Sequence, residues 1–223
     1  MTSTRIQISI ASGTADGVIA RPSNEKAGVV VVQEWWGLVP HIEDVVRRFA
    51  RHGFVALAPD LYHGKSTVDA EEASHLMQGL DWGRAIGEIA AAVDHLRSKE
   101  GCTRVGIAGF CMGGALAILG ATAAKVDAYA AFYGFPPKGA ADLSKVTAPG
   151  VIFFGEHEAN FSVPDAKSFA EEQTKNGVAT SLHVYPGASH AFFNDTRPAV
   201  YHEASAHDAW RRTLAHFARH LQG

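Results

Sequence analysis

The residues of this chain that are best suited to chemistry are a cysteine between glycines, a later acid and a later histidine. Cys111 stands in the segment Gly-Phe-Cys-Met-Gly, residues 109–113, which has the spacing of a G-x-S-x-G nucleophile elbow with sulfur in place of oxygen. Glu158 follows at the end of a Gly-Glu-His-Glu segment, and His190 follows in Gly-Ala-Ser-His. This order of nucleophile, acid and base predicts acyl transfer through a thiol.

Each of the three residue types has its own role in acyl transfer through a thiol. A free thiol has a pKa of about 8.5 and is mostly protonated at neutral pH, so an adjacent imidazole is needed to generate the thiolate. We expect His190 to be that base, and Glu158 to orient it and to stabilise its cation. We expect the backbone N–H groups of Met112 and Trp35 to bind the oxyanion of the tetrahedral intermediate. The competing interpretation is that Cys111 is buried and inert.

Strand and helix patterns indicate how these residues are positioned. Two alternating segments, 5–10 and 16–21, predict an N-terminal antiparallel hairpin. Apolar runs predict buried strands over residues 28–33, 54–58, 104–110, 128–133, 151–154 and 182–185. Helical spacing predicts helices over residues 42–52, 82–99, 112–124, 164–176 and 199–221. We therefore expect an α/β fold with one domain over residues 1–223 and a mostly parallel, doubly wound sheet.

The candidate residues follow the carboxyl ends of the predicted strands. In doubly wound sheets the site lies beyond these ends, so we expect Glu34, Trp35, Cys111, Glu158 and His190 to share one neighbourhood. The polar section 61–81 falls where such folds place ligand-facing loops, and we expect short helices in it.

Composition favours a small-molecule substrate. The net charge is −3, and the 20 lysines and arginines are scattered without runs, which gives no electrostatic footprint for nucleic acid or an anionic membrane. No apolar run approaches about 18 residues, so we expect a soluble protein, and two cysteines that do not pair suit a reducing cytoplasm. Nine residues of mostly extended chain, at about 3.3 Å each, separate Cys102 from Cys111 too widely for a disulfide.

The motifs together resemble those of the dienelactone hydrolases, cysteine-dependent members of the α/β-hydrolase fold. The resemblance rests on Gln-Glu-Trp-Trp-Gly at 33–37, Ala-Pro-Asp-Leu-Tyr at 58–62, Gly-Phe-Cys-Met-Gly-Gly at 109–114 and Ser-His-Ala-Phe at 189–192. It implies hydrolysis of small esters or lactones through a thioacyl-enzyme, with neither a metal nor an organic cofactor. It also implies that Glu34 is a functional acid, toward which the resting thiol points before it swings into the triad.

Two departures from the family pattern affect the site. The family's triad acid is usually Asp, whereas this chain has Glu158, and Asn160, Asp165 and Asp195 are possible substitutes. Dienelactone-type members also grip a substrate carboxylate with two arginines. The corresponding places here hold Gly64 or Lys65, and Asn194.

These departures lead to an expectation about the substrate. A carboxylate in a partly dry pocket needs a matched cation, and only Lys65, Lys138 and Arg197 stand on nearby loops. The aromatic residues at the strand ends predict a broad apolar wall; these are Trp35, Trp36, Tyr62, Tyr133 and Phe192. We therefore expect a preference for neutral short-acyl or aromatic esters and lactones. The alternative is that several of these aromatic residues belong to the core.

Other classes of function fit the sequence less well. A thiol redox sensor would use Cys111 without His190 and would need a reachable resolving cysteine, for which Cys102 is badly placed. A catalytically inactive binding protein of the same fold remains open. His202 and His207 lie five positions apart, about 140° around a helix at about 100° per residue, so a zinc pair is not expected. The sequence leaves open whether the protein is a monomer or a small homo-oligomer.

Overall fold

The predicted strands assemble into one eight-stranded sheet. In the computed structural model, which describes residues 1–11, 13–23 and 26–223, the strand order is β1-β2-β4-β3-β5-β6-β7-β8. The strands are β1 (Thr4–Ile10), β2 (Gly13–Ala20), β3 (Ala27–Val32), β4 (Val55–Pro59), β5 (Arg104–Phe110), β6 (Ala128–Phe132), β7 (Gly150–His157) and β8 (Thr180–Ser189). The prediction of a mostly parallel α/β sheet is confirmed.

The sheet is antiparallel only at its N-terminal side. β1 pairs antiparallel with β2, and β2 pairs antiparallel with β4, as the predicted hairpin requires. All pairings from β4 to β8 are parallel. The chain places β4 on one side of β3 and β5 on the other, so the topological switch point lies between β3 and β5. Ligand crevices form at this point in doubly wound sheets.

Helices cover the sheet. They are α1 (Pro40–Arg51), α2 (Ala70–Gln78), α3 (Trp82–Ser98), α4 (Met112–Ala123), α5 (Val163–Lys175) and α6 (Glu203–Leu221), and a short 3₁₀ helix spans Leu143–Lys145. α3 and α4 contact each other, while α1 and α6 meet through Phe49 and Trp210, whose ring centroids lie 4.5 Å apart. β3 is buried along its whole length, as its apolar sequence predicts for a central strand. Among the described residues, no helix combines the length and apolar character of a membrane span.

Several element boundaries differ from those predicted. β7 and β8 are longer than predicted because their ladder continues past an irregularity at Gly155 and ends with His157 opposite Ser189. The section 61–81 contains α2, whose first turn is capped by the Asp69 side chain. The closing helix begins at Glu203 rather than at residue 199, because residues before it form backbone turns, including the bond from Val200 N–H to the Arg197 carbonyl.

Candidate active site

Cys111 occupies a sharp turn between β5 and α4. Its backbone angles are φ 56° and ψ −118°, a left-handed conformation that costs a non-glycine residue of order 1–3 kcal/mol and needs support from its surroundings. The glycines on either side leave room for the turn. A Cβ on Gly109 would lie 1.8 Å from the Gly113 carbonyl oxygen, and a Cβ on Gly113 would lie 2.4 Å from the Gln33 carbonyl oxygen. The segment has the geometry that its glycine spacing predicts.

The extended ladder between β7 and β8 brings the acid to the histidine. His157 and Ser189 are paired, and each is followed directly by a candidate triad residue. Glu158 Oε2 lies 2.8 Å from His190 Nδ1, and His190 Nε2 lies 3.2 Å from Cys111 Sγ. The three side chains thus form a continuous chain of hydrogen bonds.

The extra methylene of Glu158 is accommodated by the loop that follows β7. The Glu158 side chain is completely buried, and its second oxygen accepts from the backbone N–H groups of Asn160 at 2.8 Å and Phe161 at 3.3 Å. The carboxylate is therefore oriented by its own loop as well as by His190.

The other carboxylates considered for this role have different partners. Asp165 pairs with Lys138 at 3.3 Å. Asp195 pairs with His41 at 3.2 Å and also with Arg48. Glu158 is the carboxylate that contacts His190.

The environment of His190 favours the imidazolium. Burial by itself lowers the pKa of His190, but the hydrogen bonds to Cys111 and Glu158 outweigh burial and raise this pKa from 6.5 to about 10. An imidazolium beside a sulfur atom stabilises the thiolate, which is the nucleophilic form of cysteine. The arrangement therefore places a partner for proton transfer against Cys111 Sγ.

The two expected oxyanion donors lie at the ends of neighbouring strands. Met112 is the first residue of α4, where N–H groups lack intrahelical acceptors. Trp35 follows β3, and among the described residues no backbone carbonyl accepts from its N–H. Both residues line the cavity at Cys111, as the prediction of an oxyanion site requires.

Glu34 is buried beside the candidate triad but is held by other residues. The Tyr133 hydroxyl donates to Glu34 Oε1 at 3.1 Å, and Asn194 Nδ2 donates to Oε2 at 2.7 Å. Burial and the Glu34 carboxylate raise the pKa of Tyr133 well above its ordinary value, so the hydroxyl stays protonated and remains a donor. The expectation that the resting thiol points toward Glu34 does not describe this structure, because Cys111 contacts His190 instead.

A cavity of about 540 Å³ opens in front of Cys111. Its wall is mainly apolar and aromatic, and includes Trp35, Trp36, Met77, Trp82, Met112, Phe135, Pro136, Pro137 and Phe161. Polar contributions come from Glu34, His190, Asn160, Ser162, Asp165 and Arg197. A volume of this order accommodates a small organic ligand.

Three aromatic residues that we expected in this wall lie behind it. Tyr62 is buried, and its hydroxyl contacts Met112 Sδ at 3.4 Å. Tyr133 is fully buried, with its hydroxyl on Glu34. Phe192 is fully buried and packs edge-on against Tyr133 with a centroid separation of 5.4 Å. Their assignment as substrate-contacting residues is therefore wrong, whereas Trp36 does line the cavity.

Sequence reasoning missed most of the apolar residues in the cavity wall. Met77 and Trp82 belong to the section 61–81 and the start of α3, and Phe135 and Phe161 stand in loops after β6 and β7. The available signal was their position near strand ends or next to the irregular section, but an apolar residue in a loop does not reveal which way it faces. Of the three candidate cations only Arg197 lines the cavity, with its guanidinium 4.7 Å above the Trp36 ring.

The other chemical features of the chain lie apart from this arrangement. Cys102 is a buried free thiol, and burial together with Glu100 raises its pKa to about 11, which keeps it protonated. Within residues 1–11, 13–23 and 26–223, no group of three or more His, Cys, Asp or Glu side chains is arranged to hold a metal ion.

Comparison with known proteins gives a consistent result. The model of the "Dienelactone hydrolase family" matches residues 15–221. "Protein usf" from Aquifex pyrophilus is 35% identical over 215 residues, covering 92% of this chain and 93% of that protein. A "Putative carboxymethylenebutenolidase" from Aquifex aeolicus is 32% identical over 219 residues, covering 92% and 94%.

Solved structures show the same architecture. The structure titled as a "Putative Dienelactone Hydrolase" from Klebsiella pneumoniae has a TM-score of 0.85 at 28% identity and covers 98% of each chain. A "Dienelactone Hydrolase-like" promiscuous phosphotriesterase from metagenomic libraries has a TM-score of 0.87 at 24% identity, again over 98% of each chain. The second likeness supports the fold alone.

Proposed function

The chain belongs to the dienelactone hydrolase family, and from this premise we propose that it cleaves small carboxylic esters or lactones with Cys111 as nucleophile. The observation that carries this proposal is the hydrogen-bonded chain from Glu158 through His190 to Cys111 Sγ, at 2.8 Å and 3.2 Å, beside an apolar cavity. A thiol, a base and an orienting acid in contact are the groups that covalent acyl transfer requires.

In the first half-reaction the Cys111 thiolate attacks the carbonyl carbon, and the carbonyl π electrons move onto oxygen. The N–H groups of Trp35 and Met112 bind that oxyanion. When the intermediate collapses, the C–O bond to the leaving group breaks and the His190 imidazolium protonates the departing alkoxide. The products are an alcohol, a thioester on Cys111 and a neutral His190; from a lactone, the alcohol stays attached to the acyl group.

In the second half-reaction water cleaves the thioester. Neutral His190 removes a proton from water as the oxygen attacks the thioester carbon. Collapse expels the Cys111 thiolate and releases the carboxylic acid, and the proton remains on His190. The resting thiolate–imidazolium pair is thereby restored. Glu158 stabilises the His190 imidazolium in the resting enzyme and at each step in which it forms.

Glu34 is a second acid in this proposal. Its carboxylate lines the cavity with Cys111 and is fixed by Tyr133 and Asn194. We propose that it is the alternative partner of the Cys111 side chain, which would rotate between Glu34 and His190 during the reaction. This proposal is supported by the position of Glu34, which is only 1% exposed and lines the same cavity as Cys111.

The cavity wall supports a substrate with an apolar, aromatic-sized group. Indole, phenyl, proline and thioether surfaces supply most of the wall, and such surfaces favour ligands that bury apolar area. The reacting carbonyl would lie at Cys111, with the apolar group against Trp36, Trp82 or Phe135.

The test is a panel of aryl and alkyl esters and lactones, assayed with the wild type, Cys111→Ala and Cys102→Ala. We expect hydrolysis by the wild type, loss of turnover in Cys111→Ala and little change in Cys102→Ala. Mass spectrometry of a rapidly quenched reaction should show the acyl group on the peptide that contains Cys111. Full activity after stoichiometric alkylation of Cys111 by iodoacetamide would exclude this mechanism.

A further inference from the structure

Phe161 contacts the acid and the histidine of the proposed triad through different atoms. Its backbone N–H donates to Glu158 Oε1 at 3.3 Å. Its ring stacks on the His190 imidazole, with centroids 5.8 Å apart and planes inclined by 27°. One loop residue is therefore in contact with both partners of the hydrogen bond that orients the imidazole.

The surroundings of the His190 ring leave few ways for it to turn. Tyr133 approaches edge-on, with centroids 5.1 Å apart and planes at 69°. The charged groups that face the imidazole are Glu158 at Nδ1 and Cys111 at Nε2, and Glu34 stands behind Tyr133. The His190 side chain is 20% exposed.

The stacked geometry favours the charged imidazole in particular. An aromatic ring carries negative charge density on its face, which attracts a cation within about 6 Å of the centroid. A neutral imidazole gains no comparable electrostatic attraction from the same ring. The centroids of Phe161 and His190 are 5.8 Å apart, within this range, so a stack of this kind favours an imidazolium over a neutral imidazole.

We propose that Phe161 is a positioning residue of the triad, whose ring holds and stabilises the protonated form of His190 while its backbone N–H fixes Glu158. The inference rests on the proposed function, because it assigns Phe161 a part in the same cysteine-dependent reaction. In this role Phe161 acts on the reaction through His190. A measurement of the protonation of His190 therefore distinguishes this role from that of an ordinary residue of the cavity wall.

The test compares Phe161→Leu and Phe161→Tyr with Phe135→Leu in the full-length protein. Leucine retains apolar volume without an aromatic face, and tyrosine restores the face. Phe135 lines the same cavity but packs against Phe169, with centroids 5.6 Å apart, which makes it a matched control. For each variant, imidazole NMR as a function of pH gives the pKa of His190, and steady-state kinetics give kcat and KM. The His190 resonance is identified by its absence from the spectrum of His190→Asn.

We expect Phe161→Leu to lower the pKa of His190 by about half a unit or more, in keeping with the size of cation–π interactions. We expect kcat to fall by about fivefold with a smaller change in KM, and Phe161→Tyr to restore both quantities. Phe135→Leu should raise KM without moving the pKa of His190.

An unchanged His190 pKa in Phe161→Leu, with kinetics that match those of Phe135→Leu, would overturn the proposal and leave Phe161 as cavity wall. Because the NMR measurement does not require turnover, this result is distinguishable from failure of the proposed function. That failure would appear as hydrolysis retained by Cys111→Ala.

Discussion

Asn194 Nδ2 donates a hydrogen bond of 2.7 Å to Glu34 Oε2, and both side chains are buried. Asn194 stands where the family resemblance leads one to look for an arginine that grips the substrate. Here that position faces the buried acid instead, and the Asn194 side-chain oxygen accepts from the Thr196 backbone and hydroxyl. The residue thus connects the loop after His190 to the end of β3.

The first prediction follows from this contact. Within the part of the chain that the structure describes, Asn194→Ala would leave the buried Glu34 carboxylate with the Tyr133 hydroxyl as its remaining side-chain donor. Hydrogen bonds to charged groups contribute about 1.5–3 kcal/mol, so we expect the free energy of unfolding to fall by an amount in this range. Urea denaturation at neutral pH measures it.

The same substitution in a Glu34→Gln background is the control. Without the charge, the loss caused by Asn194→Ala should be smaller by about 1 kcal/mol. Equal losses in the two backgrounds would mean that Asn194 stabilises the loop rather than the carboxylate.

The second prediction concerns Glu158, the proposed acid of the triad. Glu158→Gln retains the shape of the side chain but presents an amide that no longer stabilises the imidazolium. Loss of an orienting acid can reduce turnover by on the order of 10⁴, and we expect a loss that approaches this size in kcat for a neutral ester. Asp195→Asn is the control, because Asp195 pairs with His41 and Arg48. Retained turnover in Glu158→Gln together with its loss in Asp195→Asn would reverse the assignment.

The third prediction is a dependence of stability on pH. The pKa of His190 is raised from 6.5 to about 10 in the folded protein, so folding favours its protonated form. The resulting stabilisation is fully present below pH 6.5 and is lost as the pH rises through about 10. In the proposed thiolate–imidazolium pair, Cys111 has released the proton that His190 holds, so the folded protein binds more protons than the unfolded chain only above about pH 8.5, where the unfolded thiol ionises. Between about pH 8.5 and about 10, the free energy of unfolding of the wild type should fall more steeply than that of His190→Ala. Parallel curves for the two proteins in this range would show that His190 is not charged in the folded state.

The features that sequence could predict are those encoded by local spacing. Glycines at 109 and 113 define the elbow because a Cβ at either position would collide with nearby backbone oxygens. The order of nucleophile, acid and base likewise lies along the chain. The full extent of β7 and β8 was not predictable, because it depends on pairing across an irregularity that brings His157 opposite Ser189.

The direction of aromatic side chains was also beyond the sequence. Tyr133 and Phe161 both follow strand ends, yet the first is fully buried behind the cavity and the second lines it. Tertiary contacts account for the difference. The Tyr133 hydroxyl donates to a buried carboxylate, whereas the loop after β7 places the Phe161 ring against His190. The local sequence pattern does not indicate either of these contacts.

The last prediction concerns recognition of charge in the substrate. We expected a preference for neutral esters because no cation could be assigned to the pocket, but Arg197 lines the cavity and lies 4.7 Å above the Trp36 ring. A guanidinium in this position can pair with a substrate carboxylate, and such charged hydrogen bonds are about twice as strong as neutral ones.

Replacing Arg197 should therefore change the discrimination between charged and neutral substrates. We expect Arg197→Gln to lower kcat/KM for a lactone that carries a free carboxylate by about tenfold, which corresponds to about 1.4 kcal/mol, while its methyl ester changes little. Lys65→Gln is the control, because Lys65 is exposed and does not line the cavity. If Arg197→Gln reduces kcat/KM for both substrates equally, the guanidinium supports the Trp36 wall and does not bind the substrate's charge. If Arg197→Gln changes kcat/KM for neither substrate, the guanidinium does not recognise charge and the expected preference for neutral substrates stands.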